Sequence, residues 1–269
     1  FIKNQIITIH DLICLNFPKQ HKFQFLYFKY LLPILLKSSK KIIAISSFTK
    51  DEIIKFYRIS PEKIEVIHNG SNKLSQKINL TTEAEINRIT KGLPFFLSVG
   101  NSYGHKNTLK LLEVAKLMKD KPVVFLVLGA DNLFFKKLRE KAEKENLSNV
   151  IFLNYVSKEL LAGFYEKCIA NVYISLYEGF GFPPMEAACF NSISVVSNIP
   201  VMKEIYGDSV IYVNPNSSSD ILQKLEGLFL NNIDLAIYKN KFDKLFEKYS
   251  WEKTAENTIN LINKEFNLQ

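Results

Sequence analysis

Tyr177-Glu178-Gly179-Phe180-Gly181-Phe182-Pro183-Pro184-Met185-Glu186 holds two carboxylates eight positions apart, with a Gly-Phe-Gly turn between them. An apolar run, Asn171 to Leu176, precedes it and reads as a buried strand. Pro183 and Pro184 suit the first turn of a helix, where a missing N–H costs nothing. Strand, glycine loop and helix start then follow in order. Such a turn directs free N–H groups and the positive end of a helix dipole at one point, which favours phosphate. Carboxylates there would repel phosphate, so Glu178 and Glu186 are expected to face hydroxyl groups, from which ionised oxygens accept directed hydrogen bonds. Phosphates and several hydroxyls on one ligand describe a nucleotide sugar.

The flanking sequence repeats this grammar. Apolar runs at Phe95–Val99, Val123–Leu128, Val150–Leu153, Val172–Leu176 and Ser194–Val196 alternate with helical patterns at Thr108–Met118, Leu133–Glu145, Lys158–Lys167 and Met185–Phe190. Short apolar strands between amphipathic helices predict βαβ units and a parallel sheet covered on both faces. In such a doubly wound α/β domain, ligands bind beyond the carboxyl ends of the strands. The loop Gly100-Asn101-Ser102-Tyr103-Gly104-His105-Lys106-Asn107 stands at one of those ends, and its glycines do not have dinucleotide-fingerprint spacing. Upstream, Ile6–Ile9, Ile42–Ile45 and Ile64–Ile67 read as further strands. Ser46 to Glu52 carries an N-cap signal, and Ser60-Pro61-Glu62-Lys63 reads as a turn. Phe23 to Lys37 reads as a packed helix, with an aromatic-lysine face touching lipid as the alternative.

The spacing E-x7-E, headed by E-G-F-G-F-P and followed by M-E-A-A, resembles the donor-site signature of retaining glycosyltransferases, and is most similar to the family-4 branch. Nearly the whole chain takes part. I-I-A-I-S-S-F-T-K-D-E-I followed by S-P-E-K-I-E-V-I-H-N-G is similar to the end of that family's first domain, with Asn69-Gly70 at the crossover. The resemblance implies an α/β protein of GT-B fold, with two Rossmann-like doubly wound domains, the first incomplete. Residues 1–75 form the end of the acceptor-side domain, 76–92 the connection, 93–245 the nucleotide-sugar domain, and 246–269 a helix crossing back. It further implies that Glu178 holds sugar hydroxyls, Glu186 clamps the ribose and Lys106 binds the diphosphate. Gly100, Asn101, Gly179, Phe180, Gly181 and Phe182 belong to the same donor site, and the Tyr155-Val156 backbone reads the base. His10, followed by acidic Asp11, faces the hexose or the acceptor across the cleft. Glu204 is either near the site or a helix-start residue, and Trp251 is a packing anchor.

Retaining hexosyl transfer from GDP-mannose or a UDP-sugar to a glycan or lipid-linked acceptor is the expectation, in surface polysaccharide synthesis. A non-catalytic binding remnant and an epimerase of the same fold are the alternatives. The family often has Arg where Asn101 stands, which removes one cation. With no Asp-x-Asp motif, transfer without a metal or other cofactor is expected.

Composition sets the outer bounds. At 269 residues, 47% hydrophobic and 23% charged, the chain is of ordinary globular make-up. It has no apolar run of the roughly 20 residues that cross a bilayer. Its charge of +8 comes almost wholly from lysine, with only Arg58, Arg88 and Arg139. Without basic runs or an arginine-rich face, nucleic acid is not an expected partner. A peripheral pull toward anionic membrane remains within the reading. Cys14, Cys168 and Cys189 lack metal-ligand spacing and read as buried thiols of a cytoplasmic chain. The opening at Phe1, just before a strand, is expected to continue sequence that lies upstream.

Overall fold

The computed structural model describes residues 4–71 and 79–268. The expected boundary at residue 75 lies outside the described residues. Among the described residues, nine strands form two parallel sheets. The first holds β1 (Ile6–Ile9), β2 (Lys41–Ala44) and β3 (Ile64–Val66), in register through Ile7 with Ile42 and Ile42 with Ile64. The second holds β4 (Phe95–Ser98), β5 (Val124–Leu128), β6 (Val150–Leu153), β7 (Ala170–Tyr173), β8 (Ser194–Ser197) and β9 (Ile211–Val213). Its spatial order is β6-β5-β4-β7-β8-β9. Counted from β4 this is 3-2-1-4-5-6, the doubly wound order.

Side chains alternate across a strand, and both faces of the second sheet are buried. Phe96, Phe125 and Val127 enter one apolar cluster, while Phe95, Leu97, Val124 and Leu126 enter the cluster on the opposite face. The first sheet has its own core, built on Ile9, Leu32, Leu36, Ile42 and Ile53. On its other face, Ile43 and Ile67 meet Leu261 of the Trp251–Phe266 helix, so the last helix returns to the first sheet. Caps set the helix starts. Ser46, Asn79, Asn132, Ser157 and Ser250 each accept a hydrogen bond from a first-turn amide.

Several elements differ from the sequence expectation. The Val172–Leu176 strand is Ala170–Tyr173, because the chain leaves the sheet after Tyr173 to build the glycine loop. The helix expected from Met185 starts at Phe182, with prolines in its first turn. β9 has only three residues and too short a pattern to stand out. The Phe23–Lys37 helix is three joined pieces, Lys22–Leu26, a π-helical turn Tyr27–Leu31, and Leu32–Ser38, and its outer half is exposed rather than packed. Trp251 is 44% exposed, so its ring is not a buried anchor. Its backbone packs closely on Gly70, where a Cβ would stand 2.2 Å from the Trp251 amide nitrogen.

None of the three cysteines is in a disulfide. Cys14 is buried, which pushes its thiol up to about 11, while Cys168 and Cys189 are half-buried.

Candidate functional site

β4 and β7 lie side by side at the centre of the second sheet, and their successors leave in opposite directions. That is the topological switch point, where loops part and open a crevice. The loop after β4 turns at Gly100, whose φ of +82° suits glycine. It closes in a tight turn, Gly104–Lys106. Asn107 then takes a left-handed conformation and donates from its amide to the carbonyls of Ile174 (3.2 Å) and Pro215 (2.7 Å). The Leu176 amide donates to the His105 carbonyl at 2.7 Å. The two loops are thereby fixed to each other.

This fixing brings Lys106 to Glu178. The Lys106 ammonium donates to Glu178 Oε1 at 2.7 Å and to the Tyr173 hydroxyl at 2.8 Å. Both charges are largely out of solvent, at 17% and 8% side-chain exposure. A pair held this deep is charge-assisted and weakly screened. Burial first, and then the Glu178 carboxylate, raise the Tyr173 phenol well above its ordinary range, so it stays protonated. Beside it, burial holds the His105 imidazole down at about 4, neutral at physiological pH.

The first unit supplies the opposite wall. His10 follows β1, Ile45 follows β2 and Asn69 lies beyond β3, so the carboxyl ends of both sheets face one cleft of about 230 Å³. Lys106, Tyr173, Glu178 and Gly179 to Pro183 complete its lining, with Asp11. The volume is below the roughly 300–1,000 Å³ of a site for a drug-sized ligand, and suits a sugar ring more than a whole nucleotide sugar. Burial, with Glu178 adding to it, raises the Asp11 carboxyl although the Ile13 amide donates to it. Gly179 is required by proximity. A Cβ there would lie 2.1 Å from the His10 carbonyl oxygen. Gly181 has φ +84° and opens the Phe182–Cys189 helix, whose amino end faces the cleft.

Glu204 latches the two units. It stands on the Pro200–Tyr206 helix, yet its carboxylate accepts from the Ser47 (2.6 Å) and Phe48 (3.0 Å) amides at the start of the Ser47–Tyr57 helix. His68 Nε2 is 2.8 Å away. Ser46 adds a second tie by donating to the Gly179 carbonyl at 2.9 Å. Burial alone would raise the Glu204 carboxyl, but His68 and the two amides override it and hold it at about 2. A depressed carboxyl stabilises the fold above its unfolded value, 4.5, and this contribution fades as pH falls from there toward 2. Its size is about 3 kcal/mol. Glu204→Ala is expected to lose most of that at pH 7 and little at pH 2.5, a convergence that denaturant melts at the two pH values would register.

The remaining candidates are placed apart. Glu186 lies outside the cleft, half-buried, and accepts from the Tyr165 hydroxyl at 2.8 Å. Tyr155, 89% exposed, and Val156 line a separate hollow of about 540 Å³ with Glu85 and Arg88. Another of about 520 Å³ lies under the edge strand β6, lined by Arg139, Glu143, Asn146 and Ser148, and takes in none of the sequence-expected site residues. Asn101 is buried beneath the loop, while Phe180 lines the cleft with a side chain that is itself buried. Asn101 donates to the Ser98 hydroxyl and the Leu128 carbonyl and accepts from Thr108, so it locks the loop. Phe180 is buried against Phe182 and Tyr249. Among the described residues, no three His, Cys, Asp or Glu group as metal ligands would. Tyr173 was not singled out by sequence, and Asn69 only as a crossover residue. Tyr173 looks like any strand aromatic, and only its place one step before the loop hints at more.

Comparison with known proteins agrees with this geometry. Residues 80–258 match the model of glycosyl transferases group 1, and residues 2–72 that of glycosyltransferase family 4. The O-antigen chain mannosyltransferase RfbU of Salmonella typhimurium is 34% identical over 215 residues, which are 80% of this chain and 58% of that protein. O-antigen chain mannosyltransferase B of Escherichia coli is 26% identical over 281 residues, covering 96% of this chain and 70% of its own. Among solved structures, a glycosyltransferase from Rickettsia africae superposes with a TM-score of 0.77 at 19% identity, covering 98% of this chain and 71% of that one. Anabaena HepE, in complex with UDP and glucose, gives 0.79 at 14%, covering 96% and 71%. These likenesses identify the fold as GT-B. With two paired sheets, a switch-point cleft and family models over both halves, the chain belongs to the glycosyl transferases group 1.

Proposed function

We propose that the chain transfers a hexosyl group, with retention, from a nucleoside diphosphate sugar to an acceptor hydroxyl of a glycan or glycolipid. The observation that carries this reading is the buried Lys106–Glu178 pair at the switch point. It sets a phosphate-seeking cation beside a hydroxyl-seeking carboxylate. Mannosyl transfer from GDP-mannose in surface polysaccharide synthesis is the favoured specific form, supported by the names of the relatives. A lipid-linked acceptor would place the chain at the cytoplasmic membrane face.

The barrier is charge separation. The bond from the anomeric carbon to the diphosphate oxygen breaks, the electron pair leaves with the diphosphate, and positive charge grows on the ring. Lys106, the loop amides of Gly179 to Phe182 and the amino end of the helix they open would stabilise the leaving group. Glu178 would hold ring hydroxyls, with His10 on the opposite wall. The acceptor oxygen would attack on the leaving-group face and pass its proton to the departing diphosphate oxygen. Glu186, with Tyr165 behind it, would take the ribose. Lys106 provides the cationic charge that other sites draw from a metal, which supports transfer without one. Nucleotide binding is therefore expected to stay within about twofold when EDTA is added.

Titration of GDP-mannose, UDP-glucose and the bare diphosphates tests the reading. The sugar nucleotide is expected to bind about tenfold tighter than its diphosphate, and Glu178→Gln to erase that gain. Equal affinities in the unaltered chain would remove the sugar subsite from this cleft.

A further inference from the structure

The Lys22–Ser38 helical segment has two apolar faces. Phe28, Leu32 and Leu36 form the inner one and pack on the first sheet's core. Phe23, Leu26, Tyr27, Tyr30, Leu31 and Ile34 form the outer one, with Phe23 88%, Tyr30 61% and Ile34 48% exposed. Their spacing, i, i+3, i+4, i+7, i+8 and i+11, is that of a single helical stripe. Such a continuous exposed stripe marks an interaction surface.

Charge names its partner. From Leu12 to Lys50 the chain carries seven lysines and no aspartate or glutamate. Lys22 and Lys37 stand exposed at the two ends of the stripe. Lys29 lies between them, its ammonium 5.3 Å from the Phe25 and Tyr30 rings. A second copy of the chain laid on this face would set lysine against lysine. An acidic lipid surface accepts both components, since aromatic rings enter the headgroup boundary while lysine stems let the charges reach phosphate. Among the described residues no helix is long and apolar enough to cross a bilayer, so this one would lie in its plane.

We propose that the outer face of Lys22–Ser38 docks the protein on membrane rich in acidic phospholipid. The proposal does not rest on the transfer reading, because no donor enters its test. Co-sedimentation would compare phosphatidylcholine vesicles with vesicles carrying about one third phosphatidylglycerol. Binding to the acidic vesicles is expected to be at least about tenfold stronger and to weaken in high salt. Phe23→Ser with Tyr30→Ser, and separately Lys22→Gln with Lys29→Gln and Lys37→Gln, should each lower it about tenfold while circular dichroism stays unchanged. All these positions are exposed, so the fold should tolerate the changes. Equal binding to both vesicle types, no binding to either, or binding indifferent to the substitutions would overturn the proposal. A concentration-dependent dimer that the serine variant abolishes, without vesicle binding, would do the same and assign the face to a second copy.

Discussion

Lys106→Met is expected to destabilise the folded chain by about 3–5 kcal/mol, because it leaves the buried Glu178 carboxylate without its cation. The thermal midpoint should fall by roughly 10 °C for a chain of this size. Nucleoside diphosphate affinity should drop about 10- to 100-fold in the same variant, the worth of one charge-assisted contact in a site sheltered from water. These two losses have different cures. Adding Glu178→Gln removes the orphaned charge and should recover most of the stability, since an amide can still bond to the Tyr173 hydroxyl that Lys106 now engages. It should recover none of the affinity. Urea melts and calorimetry on the single and double variants would separate them. If the double variant regained nucleotide binding, Lys106 would be a structural partner of Glu178 and no more.

Gly179→Ala is the second large effect. The added Cβ would meet the His10 carbonyl oxygen at 2.1 Å and the Asp11 Cβ at 3.0 Å, and a backbone oxygen has no rotamer to escape into. Either the glycine loop shifts or the two units part. Overpacking of this kind costs about 1–3 kcal/mol, and a loop displaced by about 1 Å costs transfer on the order of 100-fold. Gly181→Ala is the informative contrast. Its φ of +84° carries strain, but its Cβ would meet the Met202 methyl at 2.5 Å, the free end of a flexible side chain. Stability should fall there by about 1–2 kcal/mol with the units still closed. Small-angle scattering should therefore report a larger radius of gyration for Gly179→Ala alone. A compact Gly179→Ala chain would mean that this contact does not hold the cleft shut.

Much of this was legible in the sequence because the relevant signals were local. Strand runs such as Phe95–Ser98 and Val124–Leu128 are buried on both faces, so nearly unbroken apolar stretches betray them. Lys106 and Glu178 each sit in a loop that directly follows a strand, and that position, with the E-x7-E spacing and the family resemblance, drew attention to them. What escaped depends on approach in space. Glu204 and Ser47 are 157 residues apart, and nothing near either one announces that a carboxylate from one unit caps a helix of the other. Asn101 looked like a ligand contact because of its loop, yet its partners Ser98 and Thr108 pull it inward. Glu178 and Glu186 read as one motif, but the intervening loop and helix turn carry Glu186 to Tyr165, outside the cleft. Phe23–Lys37 read as a packed helix, with a lipid-facing side as the alternative, because an apolar pattern does not reveal what covers it.

The central claim is that the Lys106–Glu178 cleft binds the diphosphate end of a nucleotide sugar. Its most direct test is calorimetric titration of the chain with GDP, UDP and ADP, alongside Lys106→Met and Glu186→Gln. The account predicts that one nucleotide binds, GDP before the others, and that both substitutions weaken it by about tenfold or more. A folded chain that binds none of the three, or one whose affinity ignores Lys106, would contradict it.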